Sequence, residues 1–370
     1  MNEFIPVAKP LFAGNEKMYL NECFDSGWIS SAGRYIISFE KIVAEYCGVP
    51  YAVAVSNGTV ALHLALVALG IGAGDEVIVP DLTFAATANA VIYTGATPLL
   101  ADVETESWTI DIEKCHDLIT SKTRAIIPVH LYGQPCQMNK VLEFAHHHQL
   151  FVVEDCAEAH SAEFQGKKVG SFGDVNCFSF YGNKIVTTGE GGICLTSDHK
   201  TYEKLQVLRD HGMDKNRKYW HNQVGYNYRM TNIQAAIGCA QMEQIHEFIK
   251  VRRNIQQQYD QLLGSHPNIL IQKDLTDRKK VCWIYSVEIV NDELGISIQE
   301  IQQRLRGKGI DSRPFFIPLH EMPPYRGYRH SQLSESVRIS RHGLSLPTFS
   351  DLSEDQIKFI AKCLIQILND

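Results

Sequence analysis

The stretch VAVSNGTVALHLALVALG, Val53 to Gly70, decides the fold. A short apolar strand passes through a small polar turn into a helix of apolar periodicity, which makes one βα unit. Ser56, Asn57, Gly58 and Thr59 occupy the helix start, where unpaired N–H groups and the positive end of the helix dipole favour an anion. The predicted ligand group is a phosphate; simple N-capping by the same residues is the alternative. The turn has no GxxxxGK[ST], and GIGAG at Gly70 to Gly74 follows a helix, so neither a nucleotide P-loop nor the dinucleotide fingerprint is present.

Working outward, EVIVP, TPLLADV, RAIIPVHL and LFVVEDCAE alternate with helical stretches to about residue 195, the pattern of a mostly parallel sheet covered on both faces. The run from Ala235 to Leu263 lacks Gly or Pro after Gly238 and predicts one long connecting helix, ended by Gly264 and Pro267. Beyond it, WIYSVEIV predicts a strand, SIQEIQQRLRGKGI a helix capped by Ser297, and SEDQIKFIAKCLIQIL a final helix capped by Ser353. The expected architecture is a large domain, residues 1–247, and a small α+β domain, residues 248–370, rigidly packed.

With 370 residues, 45% of them apolar, the chain can bury a large core. Its net charge of −7 and the lack of any basic block exclude an electrostatic footprint for nucleic acid. Ten cysteines show no CxxC spacing and read as buried small hydrophobes in a reducing compartment. The N-terminus MNEFIPVAKPLFAG has no signal-peptide pattern, and no apolar run reaches the roughly 20 residues that span a bilayer. A soluble, cytoplasmic protein without membrane contact is expected. His146, His147 and His148 are spread around a helix by their spacing and predict a solvated helix end, with no metal site.

Two residues point to chemistry. Asp155, in LFVVEDCAEAH, stands at the carboxyl edge of a strand, where open α/β sheets bind ligands. Lys184 lies where the aromatic run FSFYGN meets TTGEGG. Burial lowers an ammonium pKa and makes the amine a nucleophile able to form an imine, whereas a surface pairing with Glu190 is the inert alternative. A phosphate cradle, a strand-end carboxylate and a reactive lysine are the parts of a pyridoxal phosphate site, and Phe84 in DLTFAATANAV could lie on the ring face.

The motifs SNGTVALHLAL, PDLTFAATANAV, EDCAEAHSAEFQGKKVGSFGDVNCFSFYGNKIVTTGEGG and GYNYRMTNIQAAIG, in that order, resemble the fold-type I, pyridoxal-phosphate-dependent nucleotide-sugar aminotransferases. GWISSAGRYI and RPFFIPLHEMPPY extend the resemblance over nearly the whole chain. It implies a large domain with a mostly parallel seven-stranded sheet and a smaller C-terminal α+β domain. It also implies pyridoxal 5′-phosphate as cofactor, with pyridoxamine 5′-phosphate as its amino-carrying form.

By the same resemblance, Lys184 matches the Schiff-base lysine, Asp155 the partner of the pyridine nitrogen, and His160 the residue near the cofactor 3-hydroxyl. Gly58, Thr59 and Ser179 match phosphate ligands, Phe84 the stacking ring, and Asn227 an asparagine that reaches the neighbouring subunit's cofactor phosphate, which implies a homodimer. Trp28, Ser30, Arg229, Arg313 and His320 lie in segments that line the sugar-nucleotide pocket. The implied reaction passes an amino group from L-glutamate, which leaves as 2-oxoglutarate, to C4 of a nucleotide-linked 4-keto-6-deoxy-hexose, with Lys184 as general acid and base. The branch it resembles most acts on GDP-4-keto-6-deoxy-mannose and makes GDP-perosamine for surface polysaccharide or O-antigen; a UDP- or dTDP-linked glucose is the alternative substrate. Related 3-dehydratases carry histidine in place of Lys184, so the lysine favours transamination.

Overall fold

The computed structural model describes residues 4–290 and 295–370. The quoted stretch folds as read: strand β1 (Tyr51–Val55) leads through Ser56 and Asn57 into a helix, Gly58–Ala68. Four more strands follow, β2 (Glu76–Pro80), β3 (Thr97–Ala101), β4 (Thr123–Ile126) and β5 (Phe151–Asp155). With Val175–Ser179 and Gly192–Thr196 they form one seven-stranded sheet. From one edge the order is β1, 192–196, 175–179, β5, β4, β2, β3. Only Gly192–Thr196 runs against the rest.

Helices cover the sheet, and its strands are apolar on both faces because both are buried. Val53, Val55, Val77, Val79, Val153 and Val175 are fully buried in the core with the inner face of Gly58–Ala68. Each such side chain contributes roughly 1.5–3 kcal/mol. Parallel strands point their carboxyl ends the same way, so the residues after β1, β2, β5 and 175–179 meet at one sheet edge. That edge carries Ser56–Gly58, Asp81–Phe84, Asp155 and Ser179–Lys184.

The expected single helix over 235–263 is two helices, Asn232–Glu243 and Ile245–Leu263, with Gln244 at φ −105° and ψ 2° between them. The first starts three residues early because Thr231 and Gln234 form a capping box. Its end is held from outside: Gln241 and Gln244 donate to Glu16 at 2.6 and 3.4 Å. No local sequence signal encodes that contact.

The C-terminal part holds a four-stranded antiparallel sheet ordered Ile269–Ile271, Tyr285–Ile289, Gly343–Leu346, Arg313–Pro314. Helices Ile298–Gly307 and Glu354–Asn369 close its core, capped by Ser297 and Ser353 as their sequences predict. The first described residues join this part, Ile5 bridging Ile310 and Val7 accepting the N–H of Thr348. All ten cysteines are buried and unpaired. His146 to His148 end the helix Met138–His148, with His146 and His147 exposed. Among the described residues, no helix is long and apolar enough to cross a membrane.

Candidate active site

The turn after β1 is packed too tightly for side chains. A Cβ on Gly58 would lie 2.7 Å from Ser179 Cβ, and one on Gly192 would lie 2.3 Å from the Asn57 carbonyl oxygen. The two glycines therefore let the helix start, the Ser179 hydroxyl and the reversed strand converge. Asn57 caps the helix by accepting from Val60 N–H at 3.0 Å, so N-capping is real.

At the end of β5 two carboxylates leave on opposite faces, as strand alternation requires. Glu154 accepts from His130 Nε2 and the N–H groups of Gly170, Phe172 and Gly173 at 2.5–3.0 Å. His130 Nδ1 accepts from Cys136 N–H at 3.0 Å, which leaves the proton on Nε2. His130, Glu154 and Cys156 are close enough to suggest a metal cluster, but the lone pairs of His130 and Glu154 are already engaged. Burial alone would raise the Glu154 pKa; His130 and these N–H groups hold it low instead.

Asp155 faces the other way. It accepts from Thr87 Oγ1 at 2.8 Å and from Ala157 N–H at 3.2 Å. Burial raises its pKa, opposed by the Thr87 and Ala157 bonds and by the charge of Lys184.

Lys184 has a side chain only 10% exposed, and its acid partner is Glu158, not Glu190: Nζ lies 3.9 Å from Glu158 Oε1. On another side, Nζ stands 3.7 Å from the centroid of the Trp283 ring. Burial lowers the Lys184 pKa, Glu158 and Asp155 pull it back up, and Arg313 pushes it down. Glu158 is itself pushed up to about 7 by burial, with Lys184 and the N–H of Tyr132 opposing. Sequence reading missed Glu158, although its place three residues after Asp155 in EDCAEAH was a usable signal.

His160 is buried between the rings of Phe178 and Phe180, centroids 5.1 and 5.2 Å away, and neither nitrogen has a protein partner. Burial, then the charges of Lys184 and Arg252, hold its pKa down at about 3, so it is a neutral imidazole. Phe84 exposes its ring and lies 5.7 Å from Phe316. Phe316 stacks on Tyr132 and Tyr132 on Trp283, so an aromatic wall runs from Phe84 to the lysine. Tyr132 takes φ 51°, the strained left-handed region, while its N–H donates to Glu158 at 2.7 Å. His320 Nδ1 pairs with buried Asp81 Oδ2 at 2.8 Å, in the loop that carries Phe84. Asp81 had also gone unread.

The remaining predicted residues lie elsewhere. Trp28 and Ser30 sit around Asn232, which donates to the Trp28 carbonyl and to the Ser30 carbonyl through its side chain and backbone. Asn227 and Arg229 lie on a segment that pairs with the end of β1, Ser56 N–H donating to the Tyr228 carbonyl. Arg229 is held by Asp210 and Asn227, both at 3.0 Å. Among the described residues, no bond joins Trp28, Ser30, Asn227 or Arg229 to the Lys184 and Asp155 group.

A seven-stranded sheet of this order with a buried lysine at its carboxyl edge fits the class of α/β aminotransferases. More specifically, the chain belongs to the DegT/DnrJ/EryC1/StrS aminotransferase family, whose model matches residues 11–365. It is 49% identical to a GDP-perosamine synthase of Caulobacter vibrioides, covering 98% of each chain. It is 45% identical to a GDP-perosamine synthase of Escherichia coli O157:H7, covering 100% of each. Among solved structures it resembles DesI, determined in the presence of its TDP-sugar product, with a TM-score of 0.93 and 30% identity over 100% of this chain and 94% of that one.

The cofactor of these aminotransferases is pyridoxal 5′-phosphate. The residues here fit it: Gly58 and Gly192 let the helix start and the Ser179 hydroxyl come together, and His160 offers two buried nitrogens without protein partners.

Proposed function

We propose that this aminotransferase transfers an amino group from L-glutamate to C4 of GDP-4-keto-6-deoxy-mannose, giving GDP-perosamine. The observation that carries the reaction is the buried Lys184 amine, balanced between Glu158 and Asp155. The likeness to two GDP-perosamine synthases over nearly their full lengths supports the substrate.

In this reading the bound cofactor supplies an electron sink and carries the amino group between the two substrates. The rest is done by the chain. Gly58, Thr59 and Ser179 would hold the phosphate, Phe84 would lie against the ring, and His160 would stand near its hydroxyl. Asp155, facing the ring nitrogen, would favour its protonated form. Lys184 Nζ would tether the cofactor and, once freed, would take a proton from substrate carbon as the neutral amine and deliver it as the ammonium to the other end of the shift. Glu158 Oε1 steadies that ammonium. Arg313 and His320 would line the sugar-nucleotide side, with Trp28, Ser30 and Arg229, which lie apart from Lys184 within one subunit, reaching it from the second copy.

A second copy of the chain completes the site through Asn227. Phe24, Trp28, Ile29 and Ile37 expose large apolar surfaces, as do Tyr219, Trp220 and Val224, which a lone subunit would leave in water. Sedimentation should give twice the 41.7 kDa chain mass. We assign residues 1–247 to the cofactor-binding domain, apart from the first described residues around Ile5 and Val7 that pack with the C-terminal part, and 248–370 to the small domain. The product class places the enzyme in the cytoplasm, supplying surface polysaccharide such as O-antigen; gene deletion should remove the amino sugar from that polymer.

The decisive test offers GDP-, UDP- and dTDP-4-keto-6-deoxy-hexoses with glutamate and weighs the products by mass spectrometry. Amination of the GDP sugar with stoichiometric 2-oxoglutarate is expected. Preference for the dTDP sugar, the nucleotide class bound by DesI, would overturn the GDP assignment.

A further inference from the structure

We propose that Trp283 is a positioning residue that holds the Lys184 ammonium whenever the lysine is free of cofactor; this rests on reading Lys184 as the tether. Three observations carry it. Nζ lies 3.7 Å from the centroid of the Trp283 ring, close enough for a cation–π contact. The indole N–H donates at 2.9 Å to the carbonyl of Asn183, the residue before the lysine, so ring and backbone are registered together. The ring is also anchored from behind: Arg252, buried and without a carboxylate partner among its hydrogen bonds, donates to the Trp283 carbonyl at 2.5 Å and to the Thr348 carbonyl at 3.2 Å. A tryptophan a hundred residues from the lysine, held at both its ring and its backbone, gives a desolvated ammonium a defined resting place.

The charged groups that act on Lys184 are Glu158 and Asp155, which favour the ammonium, and Arg313, which opposes it. His160 feels the lysine charge but stays neutral. The aromatic face works with the two carboxylates. It acts by its quadrupole, and an aliphatic side chain would preserve burial while removing that attraction.

The test uses the full-length chain stripped of cofactor. The pH dependence of Lys184 acetylation by acetic anhydride is followed by peptide mass spectrometry in wild type, Trp283→Phe and Trp283→Leu. The midpoint should fall in the order Trp, Phe, Leu, by about one and a half pH units in all, the equivalent of one desolvated cation–π contact. A midpoint that is the same in all three proteins overturns the proposal. If the leucine variant does not fold, the comparison of tryptophan with phenylalanine decides by the same criterion. The tether is tested separately, by borohydride trapping of the cofactor on wild-type protein. Trapping elsewhere than Lys184 would refute the tether assignment while leaving the acetylation midpoints to report on the ring contact.

Discussion

Glu154 and Asp155 are neighbours in sequence at the end of one strand, both buried, and built for opposite ends. Glu154 has every lone pair engaged, by His130 and by three backbone N–H groups, and it ties the loop at 170–173 to the sheet. Asp155 accepts one hydroxyl and one N–H, and faces a lysine that shares its charge with Glu158. A saturated buried carboxylate gives rigidity. An undersaturated one keeps free energy available for a ligand, which is why we propose the chemistry on the second face of β5.

The largest effect that would expose this difference is on the working face. Lys184→Ala should lower transamination by about a thousandfold or more, measured as 2-oxoglutarate release, while the unfolding midpoint stays near that of wild type. Retained turnover would remove Lys184 from its role.

On the saturated face the expected effect is on stability. Glu154→Gln places an amide N–H₂ among backbone N–H donors and should cost about 3–5 kcal/mol in urea unfolding, with turnover per folded molecule largely kept. An unfolding curve that matches wild type would mean the two faces are not different after all.

Glu158→Gln sharpens the comparison through pH. The carboxylate favours the Lys184 ammonium, so removing its charge should let the lysine lose its proton at lower pH. Acetylation of Lys184 in cofactor-free protein should begin about one unit earlier. Because Glu158 is pushed up to about 7, its anion is the major form only above that value. The variants should therefore differ above pH 7 and converge below about pH 6, where the wild-type carboxyl is itself protonated.

The smallest effect should come from Thr87→Val. Its hydroxyl bond lowers the Asp155 pKa, so its loss lets burial raise that pKa further. Activity should fall roughly tenfold, the kinetic equivalent of one charge-assisted bond, with the acid limb of the pH profile moving upward. An unshifted acid limb would show that Ala157 and Lys184 suffice to hold the carboxylate.

Much of this site was legible before any coordinates. Strand ends, turns and caps are local, and the alternation of β5 alone separates Glu154 from Asp155. The break at Gln244 was not legible, because Glu16, which holds the preceding helix, is more than two hundred residues away. Glu158 was overlooked because its value lies in its distance to Lys184, 26 residues on, and Trp283 because a tryptophan in a predicted strand reads as ordinary core.

The amino-acid sequence by itself determined the βα order, the glycine turn, the strand-end aspartate and the lysine, since each follows from propensity and period within a few residues. Only the tertiary structure decided which acid balances the lysine, which ring carries its charge, and which of two adjacent carboxylates is left with capacity to act. Those outcomes depend on desolvation and on contacts a few ångströms long between distant segments, and neither quantity exists until the chain has closed on itself.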